Sequence, residues 1–420
     1  MRLTILHTND IHGRQERLAQ IATLVAQEKA AAGHPVLYLD AGDVEETTNR
    51  LSNLTKGTAM HRLLSRAGCD AATVGNACWL RYGTQVLADH ARAASYPLLL
   101  ANFDPVEGPV PSVLIGDVGV FGLTASFAGA FEGIDFGFVP LPEVEVALRC
   151  ARDLRAHGAK LVILLSHLGL DDPRASIDDR RLAPQLAGEV DLIVGAHSHH
   201  LLPSGEVIGG IPVAQAGEYG DHIGRIEIDG GRITMSVERV PDDTTPHPEV
   251  IAESERIEPE VRSFLDERIA ELERRLDGDW VASMLRERMK ADVGIVQEGQ
   301  ALLRTLPPGP LTRGALWEAC ESAANPGVTR MTGDRLAAVL ARGRDPAFMT
   351  ETPRPLRGRA RGRLCVSGVG TVDPDREYVV AGTDWELDSY GGLAERDWGL
   401  EVRYDFPTIM REAIEEHLRS

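Results

Sequence analysis

Cysteine is scarce in this sequence. The 420 residues include five cysteines, Cys69, Cys78, Cys150, Cys320 and Cys365. They are odd in number, widely spaced and form no C-x-x-C pair. This usage argues against a disulfide framework and is typical of reduced thiols in a cytosolic protein.

Long apolar runs and an excess of positive charge are also missing. No run approaches the length of a membrane span, and the first apolar strand begins by Leu3, which leaves no room ahead of it for a signal peptide. The net charge of −19 argues against a nucleic-acid polymer or an anionic membrane as the main partner. A small phosphate substrate remains compatible, because bound metal ions reverse the local field. We therefore expect a cytoplasmic protein, with length for two or three domains.

Residues 6–13 (LHTNDIHG) are the first stretch with recognisable chemistry. They follow a short apolar run that predicts a buried strand. Asp10 and His12 are two residues apart, and in an extended segment such residues point the same way. A transition-metal site requires side chains of this kind, a carboxylate and an imidazole, that converge on one position.

Further polar side chains follow other predicted strands in the first half of the chain. Open α/β sheets place ligands beyond the carboxyl ends of their strands, so these side chains are expected to form one cluster with Asp10 and His12. The mixture of oxygen and nitrogen donors without thiolate favours Mn²⁺, Zn²⁺, Fe or Co²⁺ over Mg²⁺ or Ca²⁺. The additional predicted ligands are Asp43, Asn76, His167, His197 and His199.

The second half of the chain predicts a separate domain. Residues 241–277 are predicted to form a linker and a charged connector helix, and residues 278–420 a second domain. Residues 342–363 hold seven arginines, which we interpret as a solvated loop rather than a nucleic-acid patch, given the acidic chain. No internal repeat is visible.

The predicted ligands resemble those of the calcineurin-like metallophosphoesterases, and within them the 5′-nucleotidase family, which includes UDP-sugar hydrolases and 2′,3′-cyclic nucleotide phosphodiesterases. The matching segments are 6–13 (LHTNDIHG), 41–43 (AGD), 75–76 (GN), 165–169 (LSHLG) and 195–199 (GAHSH), with 309–318 (GPLTRGALWE) in the second half. The resemblance implies a four-layer α/β/β/α sandwich over residues 1–240, followed by a smaller α+β C-terminal substrate domain.

The resemblance also implies roles for the seven residues. One divalent metal would be held by Asp10, His12 and His199, and the other by Asn76, His167 and His197, with Asp43 bridging them. Two such metals, about 3.5–4 Å apart, would hold a bridging hydroxide and polarise a phosphoryl group.

Two departures from the family pattern bear on function. The family's Gly-Asn-His-Glu segment is replaced by Gly75-Asn76-Ala77-Cys78, so that Ala77 stands at the catalytic histidine position. The C-terminal loops are also altered, and there the phosphate-binding and base-stacking residues are predicted to be Arg304 and either Trp385 or Tyr390.

Three functions fit these observations. The first is a phosphomonoesterase acting on nucleotides, and the second is a phosphodiesterase with the same site, for example on cyclic nucleotides. The third is a metal-bound binding or regulatory protein with weak activity. The complete ligand set favours an enzyme, whereas Ala77 favours the second or third function.

Overall fold

The computed structural model describes residues 1–127, 136–171, 176–353, 359–387 and 391–420. The chain divides into two compact units, Met1–Val261 and Arg262–Ser420. Each unit has its own sheets and its own buried core.

The first unit alternates strands and helices. Its strands are β1 (Arg2–Thr8), β2 (Val36–Asp40), β3 (Ala71–Thr73), β4 (Leu98–Leu99), β5 (Phe103–Asp104), β6 (Ser112–Ile115), β7 (Val118–Thr124), β8 (Val139–Pro140), β9 (Leu161–His167), β10 (Leu192–Gly195), β11 (Glu206–Ile208), β12 (Ile211–Ala214), β13 (His222–Asp229) and β14 (Arg232–Arg239). Its helices are α1 (Gln15–Ala31), α2 (Arg50–Leu54), α3 (Thr58–Arg66), α4 (Ala77–Tyr82), α5 (Leu87–Ala93), α6 (Glu143–Ala156), α7 (Asp179–Leu182) and α8 (Pro248–Asp266), the last of which runs past Val261.

Two six-stranded sheets form the centre of this unit. Their strand orders are β14-β13-β1-β2-β3-β4 and β11-β12-β10-β9-β7-β6. In each sheet four neighbouring strands run parallel, β1 to β4 in the first and β12, β10, β9 and β7 in the second. The carboxyl ends of these parallel strands carry the loops with the predicted ligands.

The core lies between the two sheets. It is built from aliphatic side chains such as Ile5 and Leu39 of the first sheet and Val120, Ile163 and Val194 of the second, all fully buried. Helix α1 contacts β2, and α6 contacts β6, β7 and β9. Strands buried on both faces explain the wholly apolar runs in the sequence. The predicted α/β/β/α layering is confirmed.

The second unit is built around a mixed five-stranded sheet of order β19-β16-β20-β18-β21, with a separate β15-β17 pair. Its strands are β15 (Arg268–Leu272), β16 (Val293–Gln297), β17 (Gly309–Thr312), β18 (Pro326–Thr332), β19 (Leu364–Ser367), β20 (Glu377–Thr383) and β21 (Arg403–Tyr404). Its helices are α9 (Gly278–Arg288), α10 (Glu298–Ala301), α11 (Arg313–Ala319), α12 (Gly333–Arg342), α13 (Pro346–Thr350), α14 (Asp384–Leu387) and α15 (Met410–Arg419).

Buried side chains cover both faces of the five-stranded sheet. Val296 of β16 packs with α9 and α15, whereas Ile295 packs with α12. The α+β character predicted for the C-terminal domain is confirmed. The segment predicted as linker and connector, residues 241–277, contains all of helix α8 and all of strand β15, which pairs with β17.

Candidate metal centre

The backbone at the candidate ligands is mostly left-handed. Strand β1 ends at Thr8, and Asp10 and His12 have φ angles of 52° and 47°. The expectation that these two side chains converge by strand alternation is therefore wrong; they converge through a turn. Asp43, His197 and His199 also have positive φ, at 54°, 68° and 57°. Non-glycine residues adopt this conformation rarely and at a cost, and they do so mostly at functional sites.

Asp10, His12 and His199 form the first group of donors. The two Nε2 atoms of His12 and His199 are 3.2 Å apart, and Asp10 Oδ1 lies 3.7 Å from His12 Nε2 and 3.3 Å from His199 Nε2. Asp10 and His12 lie in the loop after β1, and His199 lies in the loop after β10.

Asn76, His167 and His197 form the second group, with Asp43 beside it. Asn76 Oδ1 lies 3.1 Å from His167 Nε2 and 2.7 Å from His197 Nδ1. Asp43 Oδ2 lies 3.2 Å from His167 Nε2.

Asp10 links the two groups. Its Oδ1 is 4.0 Å from His167 Nε2, in addition to its contacts with the first group. The structure thus brings all seven predicted residues into one connected cluster. Asp10, Asp43 and His167 are almost completely buried, whereas His12, Asn76, His197 and His199 are partly exposed.

Hydrogen bonds at the far side of the imidazoles determine which nitrogens face the cluster. His12 Nδ1 lies 3.3 Å from the carbonyl of Glu45, and His167 Nδ1 lies 2.8 Å from that of Ala41. Because a carbonyl only accepts, both Nδ1 atoms carry the proton and both neutral rings present a bare Nε2 to the cluster. His199 Nδ1 similarly lies against the carboxylate of Glu218. Such partners are the usual support of metal-ligating histidines.

This arrangement fits divalent cations. The bare Nε2 atoms of His12 and His199 face each other and the carboxylate of Asp10, a convergence of lone pairs that a cation between them stabilises. Among the described residues, the ion-pair partners of Asp10 and Asp43 are histidines, with no lysine or arginine. Buried carboxylates require a partner or a metal, and this donor set suits a transition metal.

The electrostatics of the cluster also favour a bound cation. Burial alone would raise the pKa of Asp10, but His199, His167 and His12 more than offset it and hold the pKa below its ordinary value. Burial alone would lower the pKa of His167, but Asp43 and Asp10 outweigh it and raise that pKa to about 9. The cluster therefore favours negative carboxylates and positive charge between them.

Several supporting residues were missed in the sequence. Asn9 Nδ2 donates to Asp10 Oδ2 at 2.7 Å and also to the carbonyl of Gly217. Tyr219 donates its backbone N–H to the carbonyl of Asp10, and its ring lies 5.8 Å from that of His12 and beneath the guanidinium of Arg14. Only the adjacency of Asn9 to Asp10 was visible in the sequence, because Gly217 and Tyr219 lie in the loop between β12 and β13, far from Asp10 along the chain.

Ala77 begins helix α4 directly after Asn76. Its backbone N–H donates to Asp43 Oδ1 at 2.8 Å. Two residues later the fully buried Trp79 contacts the rings of Phe103, Phe136 and Phe138 with centroid distances of 5.2–5.3 Å. The altered loop is therefore anchored by an aromatic cluster.

The C-terminal candidates lie in different surroundings. Arg304 is exposed and pairs with Glu318 at 2.8 Å. Trp385 is half-buried, and its indole N–H donates to Gln297 Oε1 at 2.9 Å. The arginine next to Trp385 is the buried Arg361, 5.5 Å from the ring centroid. The prediction that residues 342–363 form a solvated loop is therefore wrong for Arg361, and the segment also contains helix α13. Tyr390 lies outside the described residues.

Comparison with known proteins defines the class. Residues 3–201 match the calcineurin-like phosphoesterase family, and residues 250–395 match the 5′-nucleotidase C-terminal domain. The chain thus carries a calcineurin-like phosphoesterase domain followed by a 5′-nucleotidase C-terminal domain. The prediction of a phosphoester hydrolase is confirmed at the level of this class.

Individual relatives resemble the chain over different lengths. The chain is 28% identical over 397 residues to the uncharacterized metallophosphoesterase YunD of Bacillus subtilis, covering 88% of this chain and 84% of that protein. It is 28% identical to the snake venom 5′-nucleotidase of Gloydius brevicauda, covering 56% of this chain but only 47% of the relative. Its fold resembles a putative 5′-nucleotidase from Staphylococcus aureus, with a TM-score of 0.68 at 17% identity over all of this chain and 96% of that one.

The structure also bears on the predictions made from cysteine content and from the lack of long apolar runs. All five cysteines are buried and unpaired. Among the helices in the described parts of the chain, none is both long and apolar enough to cross a membrane.

Proposed function

We propose that this protein is a dinuclear-metal hydrolase of phosphoester bonds in nucleotides. In this proposal one metal is held by Asp10, His12 and His199, and the other by Asn76, His167 and His197. Asp43 would contribute its carboxylate to both ions. The observation that carries the proposal is the connected cluster in which Asp10 Oδ1 lies within 4.0 Å of imidazole nitrogens from both groups.

The chain's own residues have distinct tasks in this proposal. When bound, a pair of divalent metals supplies a nucleophile at neutral pH and stabilises negative charge on a phosphoryl group. Asn9 and the N–H of Ala77 orient Asp10 and Asp43, and backbone carbonyls hold His12 and His167 with Nε2 facing inward. The left-handed turns orient these donors toward one another.

The nucleotide part of the proposal rests on the relatives and on the second unit. Relatives over at least half of the chain include proteins named 5′-nucleotidase and trifunctional nucleotide phosphoesterase. Trp385 offers a half-buried indole for stacking on a base, and Arg361 or Arg304 offers positive charge. The cytoplasmic location predicted from the unpaired cysteines stays part of this proposal.

A phosphodiesterase activity, for example on 2′,3′-cyclic nucleotides, is the second candidate. The observation that favours it is Ala77, whose side chain offers no proton to a leaving group. A catalytically weak binding or regulatory protein is the third candidate, and it is favoured by the same residue.

The test is a substrate panel. The full-length protein, loaded with Mn²⁺, Zn²⁺ or Co²⁺, is assayed with nucleoside 5′-monophosphates, 2′,3′-cyclic nucleotides and nucleotide sugars, with His167→Ala as the inactive control. Hydrolysis of monophosphates that is lost in the control supports the first candidate. Selective cleavage of cyclic nucleotides establishes the second, and absence of turnover by a fully metal-loaded protein contradicts an enzymatic role.

A further inference from the structure

A second cluster of metal-ligating side chains lies outside the centre described above. It consists of Glu45, His61 of helix α3 and His90 of helix α5, and we call it the Glu45 cluster. The three residues are 4%, 2% and 0% exposed. Glu45 Oε1, His61 Nε2 and His90 Nδ1 lie within 4.8 Å of one another.

His90 has a fixed orientation. Its Nε2 lies 2.6 Å from the carbonyl of Lys56, and because a carbonyl only accepts, Nε2 carries the proton. Nδ1 of the neutral ring is therefore bare. It lies 3.3 Å from Glu45 Oε1 but makes no aligned hydrogen bond within the described structure. A bare nitrogen and a carboxylate that approach without pointing at each other are arranged like two ligands of a common cation.

His61 can join the same site. Its Nε2 lies 2.6 Å from Glu45 Oε1, and its Nδ1 lies 2.7 Å from the hydroxyl of Tyr96. A tyrosine hydroxyl either donates or accepts, so the neutral ring can carry its proton on either nitrogen. With the proton on Nδ1, the ring donates to Tyr96 and presents a bare Nε2 to the cluster.

We propose that the Glu45 cluster is a third divalent-metal site, of the zinc class, formed by Glu45 Oε1, His61 Nε2 and His90 Nδ1. One glutamate and two histidines are a known zinc donor set. The 3.3 Å between His90 Nδ1 and Glu45 Oε1 equals the separation of about 3.3 Å that two ligands of a tetrahedral zinc ion have at ordinary bond lengths. The shorter contact between His61 and Glu45 is a hydrogen bond that metal binding exchanges for two metal–ligand bonds.

The site is structural, because its ligands are inaccessible to a substrate. Glu45 follows Asp43 by two residues, and its carbonyl accepts from Nδ1 of His12. An ion here fixes the loop that carries one ligand of the dinuclear centre and supports another. The inference goes beyond the proposed function, since no step of hydrolysis uses this ion.

Metal counting on full-length variants tests the site. Wild-type protein, His90→Ala, the double variant Asp10→Asn/Asp43→Asn and the exposed control His157→Ala are produced with Zn²⁺, dialysed and analysed by mass spectrometry of metals. We expect three ions per chain for wild type and His157→Ala, two for His90→Ala and one for the double variant. X-ray absorption of the double variant should show imidazole ligands and no neighbouring metal.

The outcomes separate this site from the proposed function. A His90→Ala count equal to wild type, or a folded double variant without metal, overturns the third site. If His90→Ala does not fold, the double variant decides alone. A wild-type count of one that is lost in His90→Ala supports the third site and contradicts the dinuclear centre.

Discussion

The backbone N–H of Ala77 donates a 2.8 Å hydrogen bond to Oδ1 of Asp43. This bond directs the other carboxylate oxygen, Oδ2, to within 3.2 Å of His167 Nε2. The first residue of helix α4, whose side chain lacks any polar atom, thus positions a central carboxylate through its main chain.

Replacement of Asp43, the bridging carboxylate of the proposed dinuclear centre, should remove both of the proposed metals. Asp43→Asn replaces one carboxylate oxygen by an amide nitrogen, which is not a metal ligand, and removes the negative charge of a group proposed to serve both ions. We expect the metal content to fall by about two ions per chain. The surface variant Asp117→Asn, which disturbs only a pair with Lys160, is the control. Full metal occupancy in Asp43→Asn would show that the carboxylate does not bridge.

Gly75 should be required for the position of Asp43. A Cβ atom at residue 75 would lie 2.0 Å from Asp43 Oδ1 and 2.2 Å from its backbone nitrogen. Gly75→Ala should therefore displace the carboxylate, weaken metal binding and lower the free energy of unfolding by about 1–3 kcal/mol. Gly33→Ala is the matched control, because a Cβ there meets nothing within 4 Å. Metal titrations and urea unfolding of both variants measure the effect, and equal behaviour would refute the steric argument.

Activity should depend steeply on the leaving group. General acid catalysis typically contributes about 10²–10⁴-fold, and Ala77 cannot supply a proton. Alkoxides need that proton, whereas nitrophenolate is stable as an anion. We therefore expect rates to fall as the pKa of the leaving group rises across a series of aryl and alkyl phosphate esters.

A flat dependence in that series would reveal another acid. One candidate is His200, which follows His199 directly and whose Nδ1 lies 2.9 Å from the hydroxyl of Ser198, so His200→Gln tests it. Ala77→His is the companion variant, and a selective gain on alkyl esters would support the missing acid. A loss on all substrates would instead indicate that the new ring displaces Asp43.

His7 should make the fold sensitive to acid. It is fully buried, and burial lowers its pKa from 6.5 to about 4. The unfolded chain therefore binds a proton below pH 6.5 that the folded chain refuses, so stability falls as the pH drops from about 6.5 to 4, by about 3 kcal/mol in total.

The measurement is urea unfolding of chelator-treated protein at pH 7.5 and pH 4.5. His7→Leu should lose less stability between these values than wild type. His157→Leu, an exposed histidine with the same substitution, should behave like wild type. An unchanged loss in His7→Leu would mean that other groups cause the acid sensitivity.

Much of the fold follows from local patterns in the sequence. Wholly apolar runs such as residues 161–165 predict strands buried on both faces, and β9 and its neighbours have that burial. Because parallel strands end at the same edge of a sheet, polar residues after successive strands were expected to meet, and the structure brings all seven together. The prediction of a linker and connector helix over residues 241–277 did not specify where helix α8 begins, because proline at its first position is compatible with a helix as well as a loop.

The sequence by itself determined which residues are candidate donors, since donor chemistry and strand-end position are local properties. The resemblance of its motifs to a known family indicated the class of hydrolase. The tertiary structure decided how the donors converge. Left-handed φ angles at Asp10, His12 and Asp43 depend on contacts from distant loops, such as the N–H of Tyr219 on the carbonyl of Asp10, 209 residues away in the chain. It also decided that Glu45, His61 and His90 meet, because two helices and a strand-end loop must first pack before three scattered polar residues become one buried cluster.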